Sequence, residues 1–348
     1  MRYFDYSFLE QGMLPAGLVS VVGAISELRE RENALKTNYP DVFTRLESIA
    51  KVQSVKGSNE IEGIVTSEER INEIVNQNSA PLNHNEAEIA GYRDALALIH
   101  SEYAALDLRE RDILRLHQIM LSYSPNDNGG RYKESDNVIM EVDASGARRV
   151  RFEPTPAAET AEAMEQLILA YMDARDNSAI NRLLLIPCFI LDFLCVHPFA
   201  DGNGRISRIF SLLLLYKNGF DAGRYISFEE QINRNKTGYY QALKDSSSGW
   251  HTGENSYFPF IENFVATLLR CHKELNKRFA LVNSKKVSKR ERIEATVLNS
   301  LLPISKREVC YILPDVSPTT VEAVIAAMLK AGSIEKIGSA RSTKYVRR

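Results

Sequence analysis

The run from Leu183 to Val196 is the most apolar stretch of the chain, interrupted only by Pro187 and one charge, Asp192. It is too short to span a bilayer and carries a carboxylate, so it reads as a buried helix around which the remaining elements must pack. Proline lacks the N–H that a helix interior needs, so Pro187 predicts a kink or an effective helix start. The run ends in His197-Pro198-Phe199-Ala200-Asp201-Gly202-Asn203-Gly204-Arg205-Ile206-Ser207-Arg208. Glycines on either side of Asn203 let the backbone bend and approach an anion closely, and the apolar residues resuming at Ile209 imply a helix whose N-terminus faces that anion.

Each residue type in this loop suits one role in phosphoryl-type transfer, which needs positioning, a proton acceptor and positive charge more than covalent work by the enzyme. His197, with an ordinary imidazole pKa of about 6.5, is matched to taking a hydroxyl proton at neutral pH. Asp201 is the loop's only carboxylate. It suits Mg²⁺ shared with two phosphates, or alternatively a helix N-cap. Asn203 and the N–H groups from Gly202 to Ile206 form an expected anion cradle. Arg205 and Arg208, three residues apart, share one helix face and can both point at phosphates. Phe199 is expected to turn inward and anchor the loop. His84, His100, His117, His251 and His272 lack such neighbours and read as surface or packing residues.

Helical periodicity dominates the rest, so the fold class is mainly α. Apolar residues recur at three- and four-residue intervals in Val42–Ile61, Glu86–Glu102, Leu108–Ser122, Ala157–Ala174, Ile206–Lys217 and Phe260–Leu281. The exception lies between Asn137 and Phe152, where two β-rich segments flank Asp143-Ala144-Ser145-Gly146-Ala147 and predict a β-hairpin with Gly146 in its turn. A polar, turn-rich stretch from Asp245 to Asn255 precedes a long helix, and the basic run Lys285-Lys286-Val287-Ser288-Lys289-Arg290 reads as a hinge. From Arg290 onward the pattern is helix (Ile293–Leu302), helix (Lys306–Leu313), helix (Pro318–Ala331) and two short strands around Gly338-Ser339, which resembles a winged helix-turn-helix. That segment holds ten Lys and Arg against six Asp and Glu. The bias is modest, so DNA contact through residues 290–348 and a module for protein contact both remain open.

The whole chain has 348 residues and 43 Lys and Arg against 45 Asp and Glu, a net charge of -2. Near-neutrality argues against coating nucleic acid by bulk charge. Cys188, Cys195, Cys271 and Cys310 show no paired spacing and read as reduced thiols. With no basic, apolar leader after Met1, this predicts a cytoplasmic location and no membrane partner.

A second local pattern is Ser58-Asn59-Glu60-Ile61-Glu62-Gly63. Ser58 and Glu62 share a helix face, Gly63 reads as the residue just past the helix, and Thr66-Ser67-Glu68-Glu69 predicts a capping-box start to the next. A carboxylate in a last helical turn opposes the helix dipole and needs a compensating cation, for which Arg208 is the candidate.

At every defining position the loop resembles the Fic family signature: His197, Phe199, Asp201, Gly202-Asn203-Gly204-Arg205 and Arg208. The likeness takes in Leu116-His117 and Gly130-Arg131-Tyr132, and covers about residues 108–245, with Lys133 where relatives usually carry Arg. It implies a Fic-type helical core with a β-hairpin flap, and a protein adenylyltransferase that takes ATP with Mg²⁺. His197 would activate a Ser, Thr or Tyr hydroxyl of an unidentified target protein. Tyr239 and Tyr240 match the tyrosine pair beside the nucleotide, while Ser247 replaces an Asn of some relatives. Val138, Ile139 and Met140 would form the flap edge that pairs with the target. Ser58 and Glu62 resemble the Fic inhibitory motif, by which Glu62 pairs with Arg208 and occupies the space of the γ-phosphate. The expected organisation is an N-terminal helical region with that motif (1–105), a Fic core (106–250), a long helix and linker (251–289) and a winged helix-like domain (290–348). Helical surfaces in the first and last of these could support a homodimer. Two alternatives stand beside this reading: a Fic-fold enzyme that uses another nucleotide or removes AMP, and a DNA-binding regulator with a Fic-like sensor core.

Overall fold

The computed structural model describes residues 2–124, 128–142, 146–283, 288–298, 300, 303–313, 315–339 and 343–347. The expected hairpin-turn residues 143–145, residues 285–287 of the expected hinge, Leu302, Arg341 and Arg348 lie outside them. In chain order the helices before the hairpin are α1 (Phe8–Gln11), α2 (Ala16–Asn38), α3 (Pro40–Ile61), α4 (Glu68–Gln77), α5 (His84–Glu102) and α6 (Glu110–Met120). Strands β1 (Ile139–Val142) and β2 (Arg148–Phe152) pair antiparallel. After them come α7 (Thr160–Asp176), α8 (Arg182–Val196), α9 (Asn203–Lys217), α10 (Phe228–Asn233), α11 (Lys236–Ser247) and α12 (Phe258–Asn283). The chain closes with α13 (Lys289–Leu298), α14 (Lys306–Ile312), α15 (Pro318–Lys330) and the antiparallel strands β3 (Ile334–Ile337) and β4 (Lys344–Arg347).

Short polar side chains set the helix starts. Asn181 accepts from Leu183 N at α8, Asn83 from Glu86 N at α5, and Ser227 from Glu230 N at α10. At α4 the cap is Ser67, accepting from Arg70 N. The expected capping box is absent there, because the third helical residue is Arg70, which cannot accept a bond back from the cap. A full box does occur at α14, between Ser305 and Glu308.

Two compact units divide the chain, neither contiguous in sequence: residues 1–27 with 50–271, and residues 28–49 with 272–348. In the first, α8 is the central helix that the apolar run predicts, with Phe189, Ile190, Leu191 and Phe193 fully buried, and it packs against α7, α9 and α11. Pro187 lies inside α8, which continues through it at the loss of one backbone bond. The second unit packs α13, α14, α15 and β3 around Ile293, Val297, Val309, Leu313, Val321 and Ile325. In the same unit the ring of Phe43 stacks on Phe279 at 4.9 Å. Among the described residues no helix is long and apolar enough to cross a membrane.

Candidate active site

The loop between α8 and α9 is held from three sides. Asn203, fully within the fold, accepts from Phe199 N at 3.0 Å and donates to Phe199 O at 2.7 Å. Lys133 donates its N–H to Pro198 O at 2.9 Å and its Nζ to Val196 O at 3.3 Å and to Asn137 Oδ1 at 2.9 Å. Asn137 donates in turn to Phe199 O at 3.2 Å. Phe199 is buried as expected, its ring stacked 3.6 Å from that of His117. The Asn203 side chain thus departs from the expected cradle: its amide is consumed in bracing the loop, and only its backbone N–H remains at the helix start.

His197 terminates α8 in the left-handed region at φ 51°, a conformation that costs a non-glycine residue about 1 kcal/mol. The bend turns the ring toward the loop. Its Nδ1 lies 3.2 Å from Leu194 O. A carbonyl can only accept, so the proton sits on Nδ1 and Nε2 is left as the acceptor. Burial pushes the imidazole down to about 4, helped by the nearby Lys133 charge and opposed by the Leu194 bond. That is well below the ordinary value expected from sequence, and it keeps the ring neutral at physiological pH.

His117, read from sequence as a surface or packing residue, braces the loop. It is fully buried, accepts from Gly130 N at 3.1 Å on Nδ1 and donates from Nε2 to Asp201 O at 3.1 Å. Desolvation holds it near 4 as well. Its clue in the sequence was position, at the end of an amphipathic helix just before the glycine pair Gly129-Gly130.

Gly202 precedes α9 at φ 78°, so the N-cap is this glycine and not Asp201. Asp201 accepts from Gly202 N at 2.6 Å, and its side chain is 68% exposed. The first-turn N–H groups of Asn203, Gly204 and Arg205 have no intrahelical carbonyl to bond, and they carry the positive end of the helix dipole. A Cβ on Gly204 would collide with Glu62 Oε1, so this glycine is what lets a carboxylate sit directly over the helix start.

That carboxylate comes from the end of α3. Gly63 N bonds Glu60 O and Ile64 N bonds Asn59 O, each at 3.0 Å, a Schellman closure that puts Glu62 at the last half-helical position. Arg208, 2% exposed, donates from Nη2 to Glu62 Oε1 at 2.8 Å and to Ser58 O at 3.0 Å, and from Nε to Ser58 Oγ at 2.9 Å. Burial works against the Arg208 charge, and Glu62 together with Tyr239 and Tyr92 more than offsets it, so the guanidinium is held firmly charged. Arg205 takes a different partner. Equally buried, it pairs with Glu88 of α5 and lies 3.5 Å from Asp201, a carboxylate contact that the sequence did not predict.

These groups line one cavity of about 750 Å³. Its floor is His197, Ala200, Asp201, Gly202 and the α9 residues Asn203, Gly204, Arg205 and Arg208; Glu62, His84 and Glu88 form one wall. Tyr239, Tyr240, Lys244 and Ser247 of α11 form another, and Ile139, Met140, Glu141, Arg151 and Phe152 of the hairpin close the mouth. His84, expected as a surface or packing residue, lines this cavity 3.8 Å from Glu88. Val138 lies one residue before β1 and outside the cavity lining, so of the three expected edge residues only Ile139 and Met140 are in the strand.

A buried network supports α8 from behind. Asp192 accepts from Tyr6 at 2.8 Å, from Trp250 Nε1 at 2.6 Å and from Tyr257 at 2.9 Å, with Arg2 at 3.9 Å. Desolvation raises its carboxyl, against the pull of Arg2 and the three donors. A lone charge inside an apolar run was the sequence signal that such partners must exist.

Of the carboxylates that line the cavity, Glu62, Glu88 and Glu141 are each paired with a buried or hairpin-facing cation, and Asp201 is the most exposed. No group of three His, Cys, Asp or Glu side chains among the described residues encloses a metal. One exposed carboxylate suits Mg²⁺, which keeps waters and substrate oxygens as its other ligands.

Residues 107–215 match the Fic/DOC family model. A Fido domain-containing protein of Dictyostelium discoideum is 28% identical over 142 residues, which are 38% of this chain and 94% of that protein. Protein adenylyltransferase Fic of Nematostella vectensis is 24% identical over 211 residues, 58% of this chain, and the matched part is 44% of that protein's length. A Fic family protein from Desulfovibrio desulfuricans, 19% identical, superposes over 97% of each chain with a TM-score of 0.63, a likeness of fold.

Proposed function

We propose that this Fic-domain protein moves AMP from ATP to a Ser, Thr or Tyr hydroxyl of a target protein or of itself, and that its own Glu62 restrains the reaction. One observation carries the reading: a single cavity joins a neutral His197, whose Nε2 has no partner among the described residues, to a helix N-terminus flanked by two buried guanidiniums. The named activity of the Nematostella relative supports it.

In this mechanism the target oxygen attacks the α-phosphorus. A new P–O bond forms, the α–β phosphoanhydride bond breaks, and pyrophosphate leaves with the electron pair. His197 Nε2 takes the hydroxyl proton; the Nδ1 bond to Leu194 O holds the required tautomer. The first-turn N–H groups of α9 and Arg208 stabilise charge on the phosphates, several kcal/mol in a preorganised site. Arg205, fixed by Glu88, orients the same end. Asp201 would hold Mg²⁺, which when bound neutralises phosphate charge. Tyr239 and Tyr240 face the sugar and base, and β1 of the hairpin offers its free edge to an extended target segment. With Glu62 on Arg208, the γ-phosphate lacks its site and ATP binds unproductively.

The test is mass spectrometry of a cell lysate incubated with Mg²⁺, ATP and the Glu62→Gly protein, beside a His197→Ala control. Peptides bearing added AMP above the control support the transfer. None above control refutes it, and labelling from UTP in place of ATP redirects it to another nucleotide.

A further inference from the structure

The cavity is lined by four Arg or Lys side chains, and three are already paired. Arg208 holds Glu62, Arg205 holds Glu88, and Lys244 of α11 donates to both oxygens of Glu141 at 3.0 Å. Arg149 also reaches Glu141, at 3.5 Å. The fourth is Arg151, whose Nε is buried and has no hydrogen-bond partner among the described residues. A buried guanidinium nitrogen left unsatisfied is costly, and of those among the described residues (Arg2 Nε, Arg45 Nη1, Arg151 Nε and Arg292 Nε) only that of Arg151 belongs to a residue lining this cavity, where a ligand can complete it.

Strand register explains how Arg151 comes to face the cavity. Ile139 pairs with Phe152 and Met140 with Val150, so Arg151 is the extra residue of a β-bulge. A bulge breaks the in-out alternation and re-aims the side chain at that point. Its neighbours in the hairpin behave otherwise: Val150 is 49% exposed and Arg149 is on the surface.

Resting on the transferase reading, we infer that Arg151 is a specificity residue that binds the carboxylate of an Asp or Glu lying within about three residues of the accepting hydroxyl in the target. An anion is required because guanidinium has donors only, and carboxylate matches its fork. The nucleotide is the less fitting source. Its phosphates are served by the first turn of α9, Arg205 and Arg208, whereas Arg151 rides on the hairpin whose free edge takes the target backbone. A target strand added to β1 brings alternate side chains inward, which places a residue near the hydroxyl over Arg151.

The experiment compares Glu62→Gly with Glu62→Gly/Arg151→Gln in the lysate assay, scoring acidic residues within three positions of each AMP-modified hydroxyl against unmodified hydroxyls of the same proteins. One charge-assisted hydrogen bond predicts about tenfold enrichment with Arg151, lost in the Gln variant and partly kept in Arg151→Lys. The KM for ATP stays within twofold. Equal acidic bias in both proteins overturns the assignment, as does a raised KM for ATP with the bias intact, which would make Arg151 a nucleotide contact. Absence of added AMP in either protein removes the transferase reading and this assignment with it, an outcome distinct from labelling without bias. Arg151→Lys preserves the hairpin's charge, so loss of bias in Gln with retention in Lys separates recognition from misfolding.

Discussion

Replacing Glu62 is the most direct perturbation of the site. Its Oε1 lies 2.8 Å from Arg208 Nη2, and at an effective dielectric of about 20 the gross attraction is ~6 kcal/mol. The Glu62 side chain is 32% exposed, so solvent screening and desolvation of Arg208 reduce this greatly. A charge-assisted bond of this kind contributes about 2–3 kcal/mol net. Productive ATP binding must displace it, so removing the carboxylate is expected to raise kcat/KM for ATP roughly 30- to 150-fold. Self-labelling with α-³²P-ATP below saturation measures this, beside a thermal melt to establish that the variant is folded. Glu62→Gln separates charge from bulk: the amide keeps the volume and one acceptor for Arg208, so about a tenfold gain is expected, and a full gain would mean the block is purely electrostatic. Unchanged labelling in a folded Glu62→Gly protein would refute the brake.

The buried His117 makes stability depend on pH. Its folded pKa of about 4 lies below the unfolded value of about 6.5, so the unfolded chain binds the extra proton between these limits and stability falls as pH drops through that window. The full effect is about 3 kcal/mol, and Tm measured from pH 7 to 4.5 should decline more steeply in the native protein than in His117→Leu. Equal slopes would show that the ring titrates normally. In the second unit, Arg290, Arg292 and Lys306 pair with Glu294, Asp315 and Glu322, and the exposed face of α15 presents Pro318, Thr319, Glu322, Ala323, Ala326, Ala327 and Lys330. With Lys330 at its last turn as the one basic or amide side chain exposed on α15, the full chain should bind a DNA duplex no tighter than about 10 µM near physiological salt. Submicromolar, sequence-selective retention in an anisotropy titration would overturn this.

What the sequence made legible was local. The helices follow from spacing, and the loop from His197 to Arg208 is contiguous, so its residue types and their order were readable without a fold. The side-chain directions within it were not. Asn203 looked like a phosphate ligand because an amide can face either way, and only the turn back to Phe199 decides that it faces inward. Arg205 lacked its partner because Glu88 lies far off in the chain, on α5. The same holds for His117 beneath the loop and for Arg2 and Trp250 around Asp192: each is a long-range contact between residues with unremarkable neighbours. The box expected at Thr66 failed for a smaller reason, a one-residue shift of the cap to Ser67.

Glu62 and a phosphate ask for the same surroundings, and this is why one site can serve both. The α3 C-terminus carries partial negative charge, so a carboxylate there is disfavoured by a few tenths of a kcal/mol in isolation. Across the gap stand the positive first turn of α9, made approachable by Gly204, and the buried Arg208. Both act on any anion placed between them. Glu62 is therefore held by the features that would hold a γ-phosphate, and Ser58, bonded to Arg208 through both its hydroxyl and its carbonyl, keeps the guanidinium aimed at that point whichever anion is present. It follows that strengthening the phosphate site strengthens the brake as well. Arg208→Lys, which loses the fork but keeps the charge, should weaken ATP binding and inhibition together, so that adding it to Glu62→Gly lowers labelling more than adding it to the native chain.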